Sequence, residues 1–167
     1  MSSYDSDYLP SNILGDKYQI ERKLADKGAK KTLLGRNIEQ DKLVVIKLLT
    51  FGNEVVWSDF KLFEREAETL KSLSHPAIPR YIDYFEIDTE QIKGFALIQS
   101  YIPATSLAEQ IKSGRNFSEA EVKQLAQAIL EILKYLHSCQ PSVIHRDIKP
   151  SNILLSDRSG NSVGQVY

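Results

Sequence analysis

One octapeptide decides how this sequence is interpreted, and it reads His145-Arg146-Asp147-Ile148-Lys149-Pro150-Ser151-Asn152. The loop combines a carboxylate that can accept a proton (Asp147), an ammonium that can neutralise an anion (Lys149) and an amide oxygen that can ligate a metal ion (Asn152). Pro150 fixes its own φ at about −65° and biases Lys149 toward an extended conformation. Each residue type is common alone, and it is their spacing that indicates a functional loop.

The spacing resembles that of the catalytic loop of Ser/Thr protein kinases, and a lysine two positions after the aspartate is typical of the Ser/Thr branch. The resemblance extends over residues 18–167 and is greatest to the bacterial enzymes. It implies a reaction in which the γ-phosphate of ATP is transferred, with Mg²⁺, to a Ser or Thr hydroxyl of a protein substrate. Asp147 would then be the catalytic base, Lys149 would neutralise the transferring phosphate, and Asn152 would bind Mg²⁺.

The composition is that of an ordinary globular chain without a marked charge. The 167 residues carry a formal net charge of −1, which gives no argument for a nucleic acid or an anionic membrane as partner. A single cysteine, Cys139, excludes an internal disulfide and is typical of a reducing cytosol. The first ten residues lack the apolar segment of a secretory signal, and no apolar run is long enough to span a membrane. We therefore expect a cytoplasmic protein.

Hydrophobic periodicity predicts an α+β fold in which most strands precede the longest helix. Alternating and β-branched patterns predict strands over residues 18–24, 32–36, 43–49, 78–85 and 94–99. A stripe with helical spacing predicts a helix over residues 56–72. Ser106 and the pair Ser118/Glu121 can cap two further helices, and residues 153–167 predict a hairpin.

These elements match the layout of a protein kinase. The resemblance implies a five-stranded antiparallel sheet with one helix in an amino-terminal lobe, followed by an incomplete, mainly helical carboxy-terminal lobe. The predicted boundaries are a flexible tail at 1–16, the amino-terminal lobe at 17–99, a hinge at 100–105 and the partial carboxy-terminal lobe at 106–167.

Lys47 matches the kinase lysine that binds the α- and β-phosphates of ATP. It follows an aliphatic strand, and burying a lone ammonium costs several kcal/mol unless it is paired. Glu66 matches the helix glutamate that the family uses as the partner. Glu64 and Glu68 are rivals, but only Glu66 borders the apolar stripe of the predicted helix.

The resemblance also implies an adenine site in the hinge. Ser100 and Ile102 fall where the family bonds adenine through main-chain groups, and Gln99 falls at the gatekeeper position. Main-chain recognition tolerates many side chains, so an ordinary connector between lobes fits the same residues.

The segment that matches the glycine-rich nucleotide loop departs from the family pattern. Its three glycine positions hold Ala25, Lys27 and Lys30, and Gly28 lies between two of them. A Cβ at a position that must adopt positive φ costs on the order of 1 kcal/mol or more. The two lysines, with Lys31, put positive charge beside the expected triphosphate and offset part of that loss. The alternative is a loop that no longer closes on a nucleotide.

The sequence ends at Tyr167, before the Asp-Phe-Gly motif in which the family keeps its main Mg²⁺ ligand. We therefore expect a kinase fragment that is inactive alone and requires a complementary kinase fragment or a partner kinase. Two other hypotheses remain, namely a pseudokinase-like module that binds a nucleotide or a partner without catalysis, and the remnant of a truncated gene. The intact site residues favour the first hypothesis, whereas the altered glycine loop and the early end favour the other two.

Overall fold

The computed structural model of the chain describes residues 13–52, 57–90, 92–158 and 161–166, with side chains as far as Leu155. These residues form two compact units. The first unit consists of the described residues up to Leu73 together with Arg80–Tyr101, and the second consists of Ser74–Pro79 and the residues from Ile102 onward.

The described part of the first unit contains an antiparallel sheet of six strands and one helix. The strands are β1 Ile13–Leu14, β2 Tyr18–Lys27, β3 Lys30–Asn37, β4 Lys42–Thr50, β5 Tyr81–Asp88 and β6 Lys93–Ser100. Their order across the sheet is β1-β2-β3-β4-β6-β5. One helix, α1 Trp57–Ser72, lies between β4 and β5 in the chain.

Strand β4 is covered on both faces because alternate residues point to opposite sides of a strand. Val44, Ile46 and Leu48 belong to one apolar cluster, formed with residues of the other strands. Leu49 belongs to a second cluster, which includes Phe63 of α1. A continuous aliphatic run is the sequence pattern that such a strand requires.

Helix α1 packs its apolar stripe against the second cluster. Phe63 and Ala67 are buried, and Phe60 and Leu70 border them. Asp59 in the first turn and Lys71 in the last turn complement the helix dipole. The helix ends at Ser72 as predicted, and Val56, where the predicted helix starts, lies outside the described residues.

The described part of the second unit combines helices with a small sheet. Its elements are β7 Thr105–Ser106, α2 Leu107–Lys112, α3 Glu119–Ser138, a 3₁₀ turn Pro150–Asn152, β8 Ile153–Arg158 and β9 Asn161–Val166. The order in the sheet is β7-β8-β9, and both pairs are antiparallel. The two strands of the predicted hairpin at 153–167 are therefore confirmed within the described residues, and β7 adds a third strand.

Both helices of the second unit begin with a capping box. Ser118 accepts a hydrogen bond from the Glu121 backbone while Glu121 accepts one from the Ser118 backbone, as predicted. Ser106 and Glu109 form the same reciprocal pair at the start of α2. These bonds hold the pKa of Glu109 and of Glu121 below its usual range, chiefly through the capping-residue backbone N–H in each case.

Three sequence predictions need correction. The tail was expected to extend to residue 16, but Ile13–Leu14 pairs with β2 and Leu14 is buried, because its side chain completes the first apolar cluster. This strand raises the predicted count from five to six.

The strand expected at 78–85 starts at Tyr81, because a turn with a bond from Ile78 N–H to the His75 carbonyl precedes it and Pro79 has no N–H to donate. The expected tail at 1–12 lies outside the described residues.

Gly94 of β6 lies where the backbone of β4 leaves no room for a side chain. A Cβ at this position would meet the carbonyl oxygen of Leu49 well inside van der Waals contact. Gly94→Ala is expected to lower the free energy of unfolding by about 1–3 kcal/mol or more, seen as a lower thermal midpoint. Gly52→Ala is the control, since a Cβ there has no heavy atom within 4 Å. Equal midpoints for the two variants would contradict this account of the sheet.

Candidate functional site

Lys47 is placed by its strand register on the face of the sheet that α1 covers. Thr32 of β3 and Leu97 of β6 are its cross-strand partners. Its Nζ lies 2.6 Å from Glu66 Oε1 of α1, and the two side chains are 26% and 46% exposed. The contact expected from the sequence is therefore present, and the nucleotide-binding role of the pair stays a prediction.

Glu64 and Glu68, the alternative candidates for the partner of Lys47, interact electrostatically with Tyr84. Burial and then the charges of these two carboxylates raise the pKa of the Tyr84 phenol above its usual value. Tyr84 lies on β5 and borders the cluster between the sheet and α1. Of the three acidic side chains, Glu66 is therefore the one that makes the hydrogen bond to Lys47.

The segment that matches the glycine-rich loop is a tight β2–β3 hairpin. Lys27 pairs with Lys30 and Ala25 pairs with Thr32 across it. Because Thr32 in turn pairs with Lys47, the alternation of side chains puts all of these residues on one face of the sheet. Ala25, Lys27 and Lys30 thus lie on the side where the resemblance predicts a nucleotide.

Lys31 does not share this face, which corrects the prediction that it adds charge beside the triphosphate. It pairs with Leu48, and Leu48 belongs to the cluster on the opposite side of the sheet. The reason is the two-residue period of a strand, which separates Lys31 from its neighbour Lys30.

The hairpin carries less backbone strain than the sequence predicts. Gly28 adopts φ +68° at its tip, and its N–H donates to Asp26 Oδ1 at 3.1 Å. Ala25, Lys27 and Lys30 continue the two strands, and none of them is among the residues with positive φ. The three side chains therefore occupy conformations that any residue adopts, and the single retained glycine lies at the position that needs one.

Lys30 has an acidic partner that the sequence did not reveal. Its Nζ lies 3.5 Å from Oδ1 of Asp59 in the first turn of α1. In the described part of the chain, Lys27 forms no ion pair. The two lysines that replace glycines therefore differ in their surroundings, although they face each other across the hairpin.

In the second unit, three side chains converge on the carboxylate of Asp147 and its neighbourhood. Lys149 Nζ donates to both carboxylate oxygens at 2.8 Å. Asn152 Nδ2 donates to the Asp147 carbonyl at 2.9 Å and to its Oδ2 at 2.8 Å. His145 Nδ1 accepts a hydrogen bond from the Asp147 backbone N–H at 3.3 Å, so this histidine orients the loop.

These contacts keep Asp147 ionised. The hydrogen bond from Lys149 and then the bond from Asn152 hold the pKa of Asp147 below its usual range. Arg146 precedes it with φ +65°, an unusual conformation for a long side chain. Such backbone strain is concentrated at functional loops, and nothing in an arginine would have predicted it from the sequence.

The predicted hinge residues offer different main-chain groups. Ser100 ends β6, and its N–H donates to the Arg80 carbonyl at 2.9 Å. The Ile102 carbonyl accepts a bond from the Ala104 N–H at 2.9 Å. The Ser100 N–H is thus used within the first unit, and a main-chain contact of Ser100 to adenine would use its carbonyl.

Gln99, at the predicted gatekeeper position, is a buried polar side chain with an unused donor. It is 2% exposed, and no described group accepts a hydrogen bond from its Nε2. It pairs with Val45 and lies two residues from Leu97, so it shares the face of Lys47. An unpaired buried amide is costly, which is consistent with a position that meets a ligand.

The sequence profile of the protein kinase domain matches residues 18–163. This chain belongs to the protein kinase domain family. The match covers both the Lys47–Glu66 pair and the Asp147 loop.

Several named relatives are Ser/Thr kinases of a cyanobacterium. Serine/threonine-protein kinase B of Synechocystis sp. is 46% identical over 95 residues, which are 56% of this chain and 16% of that protein. Serine/threonine-protein kinase D is 38% identical over 153 residues, covering 85% of this chain and 28% of the relative. Serine/threonine-protein kinase C is 34% identical over 161 residues, covering 92% and 29%.

The likeness extends to animal proteins. Serine/threonine-protein kinase tousled-like 2 of Mus musculus is 28% identical over 168 residues, which are 97% of this chain and 22% of that protein. The chain therefore spans less than a third of the length of each of these relatives. Among the described residues of this kinase domain, no helix has the length and apolar character needed to cross a bilayer.

The Lys47–Glu66 pair is expected to contribute little to stability, because both side chains are partly exposed to solvent. A double-mutant cycle with Lys47→Met and Glu66→Gln, followed by denaturant unfolding, should give a coupling energy below about 1 kcal/mol. Lys93→Met with Asp88→Asn is the control cycle at a more exposed pair. A coupling above about 3 kcal/mol for Lys47 and Glu66 would mean that the pair is a buried structural bridge.

Lys149→Met is expected to raise the pKa of Asp147 toward its ordinary value, because the largest cause of the depression is removed. The stabilising contribution of this carboxylate is present above its unfolded-state pKa and is lost as the pH falls through the folded-state pKa. In the variant that loss should occur at higher pH. Carboxyl-carbon NMR titration measures the shift, with Lys123→Met, at the Glu119 pair, as control. An unchanged titration of Asp147 would show that Lys149 does not set its pKa.

Proposed function

We propose that this chain supplies the nucleotide site and the catalytic loop of a Ser/Thr protein kinase. The reaction is the transfer of the γ-phosphate of ATP to a Ser or Thr hydroxyl of a protein substrate. The observation that carries the proposal is the arrangement around Asp147, whose carboxylate is held by both Lys149 and Asn152. Protein kinases take the proton-accepting aspartate and a metal-binding asparagine of phosphoryl transfer from one catalytic loop.

Each residue of the loop has a defined task. Asp147, whose ionised form is favoured by the hydrogen bonds from Lys149 and Asn152, accepts the proton of the attacking hydroxyl. Lys149 moves from the carboxylate to the negative charge that gathers on the transferring phosphoryl oxygens. Asn152 fixes the carboxylate through its amide nitrogen.

The residues present fit Mg²⁺ and ATP. Since Asn152 Nδ2 is used by Asp147, its Oδ1 is the atom left to meet a metal ion, and carbonyl-type oxygens are ligands that Mg²⁺ accepts. Mg²⁺ supplies neutralisation of the phosphate charge, and ATP supplies the phosphoryl group. Lys47 is the candidate for the α- and β-phosphates, with Glu66 holding its ammonium in place.

The face of the β2–β3 hairpin and the hinge complete the proposed nucleotide site. Ala25, Lys27, Gly28 and Lys30 are assigned to the phosphate side, because the strand register puts the three side chains on the face of Lys47. Ser100 and Ile102 are assigned to the adenine by resemblance alone. In this assignment the first unit is the amino-terminal lobe and the second is part of the carboxy-terminal lobe, with residues 100–105 as the hinge.

Partners and location are proposed on narrower grounds. Val122 and Leu130 are apolar side chains of α3 that remain exposed in the described part of the second unit, Leu130 at 63%. Exposed apolar surface of this kind favours a protein partner, and we assign it to a complementary kinase segment or a partner kinase. The single cysteine supports a reducing cytosol as the location.

Titration of the purified chain with Mg·ATP tests the nucleotide site. At a ligand concentration about 100 times Kd, binding stabilises the folded state by about 2.7 kcal/mol, which raises the thermal midpoint by roughly 5–10 °C. Lys47→Met should weaken binding about tenfold or more, whereas Asp147→Asn should change the affinity by less than about threefold, because Lys47 is assigned to the nucleotide phosphates and Asp147 is not. Lys93→Met is the control.

Transfer of labelled γ-phosphate to protein hydroxyls tests the catalytic assignment in a protein that contains this chain and is active. Asp147→Asn should abolish transfer while nucleotide affinity stays near normal. No midpoint shift at millimolar Mg·ATP would reject the nucleotide site. A loss of affinity in Asp147→Asn as large as that in Lys47→Met would show that the roles are wrongly assigned.

A further inference from the structure

The tip of the β2–β3 hairpin is fastened to the rest of the first unit at three points. Ala29 packs against the cluster of Leu49, Phe63, Ala67 and Leu97 between the sheet and α1. Its carbonyl accepts hydrogen bonds from Thr50 N–H at 2.9 Å and from Thr50 Oγ1 at 3.3 Å. The third point is the ion pair between Lys30 and Asp59 of α1. The tip is therefore attached to the helix as well as to the sheet.

The ion pair to Asp59 involves only one of the two lysines at the hairpin tip. Lys27 and Lys30 are directly opposite each other in the hairpin, where like charges destabilise the pairing. Asp59 offsets this repulsion on one side only, since it contacts Lys30. Asp59 is itself favoured at the helix N-terminus by the helix dipole. Lys27, without an acidic partner among the described residues, keeps its charge for an external anion.

Asp59 and Glu66 are two helical turns apart and so lie on the same face of α1. One meets Lys30 of the hairpin and the other meets Lys47 of β4. Helix α1 therefore carries the acidic partner of each lysine. A displacement of the hairpin tip that pulls on Asp59 would act on Glu66 through the same helix.

We propose that Lys30 is a positioning residue, which through Asp59 couples the hairpin above the nucleotide site to the helix that carries Glu66. Closure of the hairpin on a nucleotide and the seating of Glu66 against Lys47 then occur together. Lys27 is the lysine of the hairpin that meets the phosphates. The inference rests on the proposed nucleotide site and gives Lys27 and Lys30, which look equivalent in the sequence, separate roles.

Trp57, the only tryptophan of the chain, reports on this coupling. It lies in the first turn of α1 beside Asp59, and its ring is 5.0 Å from that of Phe60. Mg·ATP should shift its fluorescence in the unmodified chain. Lys30→Gln and Asp59→Asn should each lose at least about half of this response, measured at saturating nucleotide for each variant.

Matched variants separate positioning from simple charge. Lys27→Gln should weaken Mg·ATP binding by roughly three- to tenfold and keep the full fluorescence response at saturation. Lys30→Arg, and the double variant Lys30→Asp with Asp59→Lys, should restore the response that Lys30→Gln loses. A full response in Lys30→Gln, or no rescue by the double variant, would overturn the inference.

Hydrogen exchange measured without nucleotide tests the Lys30–Asp59 contact independently of the proposed function. Lys30→Gln and Asp59→Asn should each speed exchange of the amides at 27–31 and 57–61 by about two- to fivefold, the range expected for an exposed ion pair, and the charge-exchanged double variant should reverse this. Unchanged exchange rates would show that the Lys30–Asp59 contact does not hold the hairpin to α1, and would overturn the inference even where Mg·ATP binds. Faster exchange in a chain that does not bind Mg·ATP would reject the nucleotide site and retain the contact.

Discussion

Strand β4 is buried on both faces, and this constraint determines what the first unit can do. Its even-numbered residues Val44, Ile46 and Leu48 complete one apolar cluster, while Leu49 completes the other beneath α1. Lys47 interrupts the second series, so its ammonium has to emerge between the sheet and the helix, where Glu66 receives it. Partial exposure of both groups keeps the desolvation cost low. The pair therefore fixes the direction of a cation more than it stabilises the fold, which suits the role proposed for Lys47 at the nucleotide phosphates.

The second unit reaches its site geometry by local means. Asp147, Lys149 and Asn152 are neighbours in the chain, and the 3₁₀ turn Pro150–Asn152 brings the amide back onto the aspartate. Few long-range contacts are needed for this arrangement. The long-range requirement is that the loop be held in place. The sheet of β7, β8 and β9 supplies this, because β8 begins directly after the loop and buries Ile153 and Leu155.

The sequence predicted features whose cause is local and missed those whose cause is a contact between distant residues. The capping box of Ser118 and Glu121 is a short-range pattern, and helix α3 follows from it and from its apolar stripe. Lys47 and Glu66 were found because the family resemblance supplied the pairing and helical periodicity favoured Glu66 over Glu64 and Glu68. Asp59 as the partner of Lys30 had no such signal, since surface ion pairs leave little trace in one sequence. The strand Ile13–Leu14 was missed because a two-residue strand has no period to detect.

The hairpin at the glycine-rich position illustrates why residue identity and backbone conformation have to be judged separately. Three replaced glycines predict strain, yet strain arises only where the chain adopts positive φ, and in this hairpin that position is Gly28. Ala25, Lys27 and Lys30 instead continue the strand ladder. Replacement of the glycines therefore changes the charge of the hairpin without straining its backbone. Two lysines facing each other need an acceptor, and α1 offers one to Lys30. In place of the glycines the chain thus has a hairpin that is tied to its helix. In the proposed nucleotide site, charge would take the place of main-chain N–H groups in facing an anion.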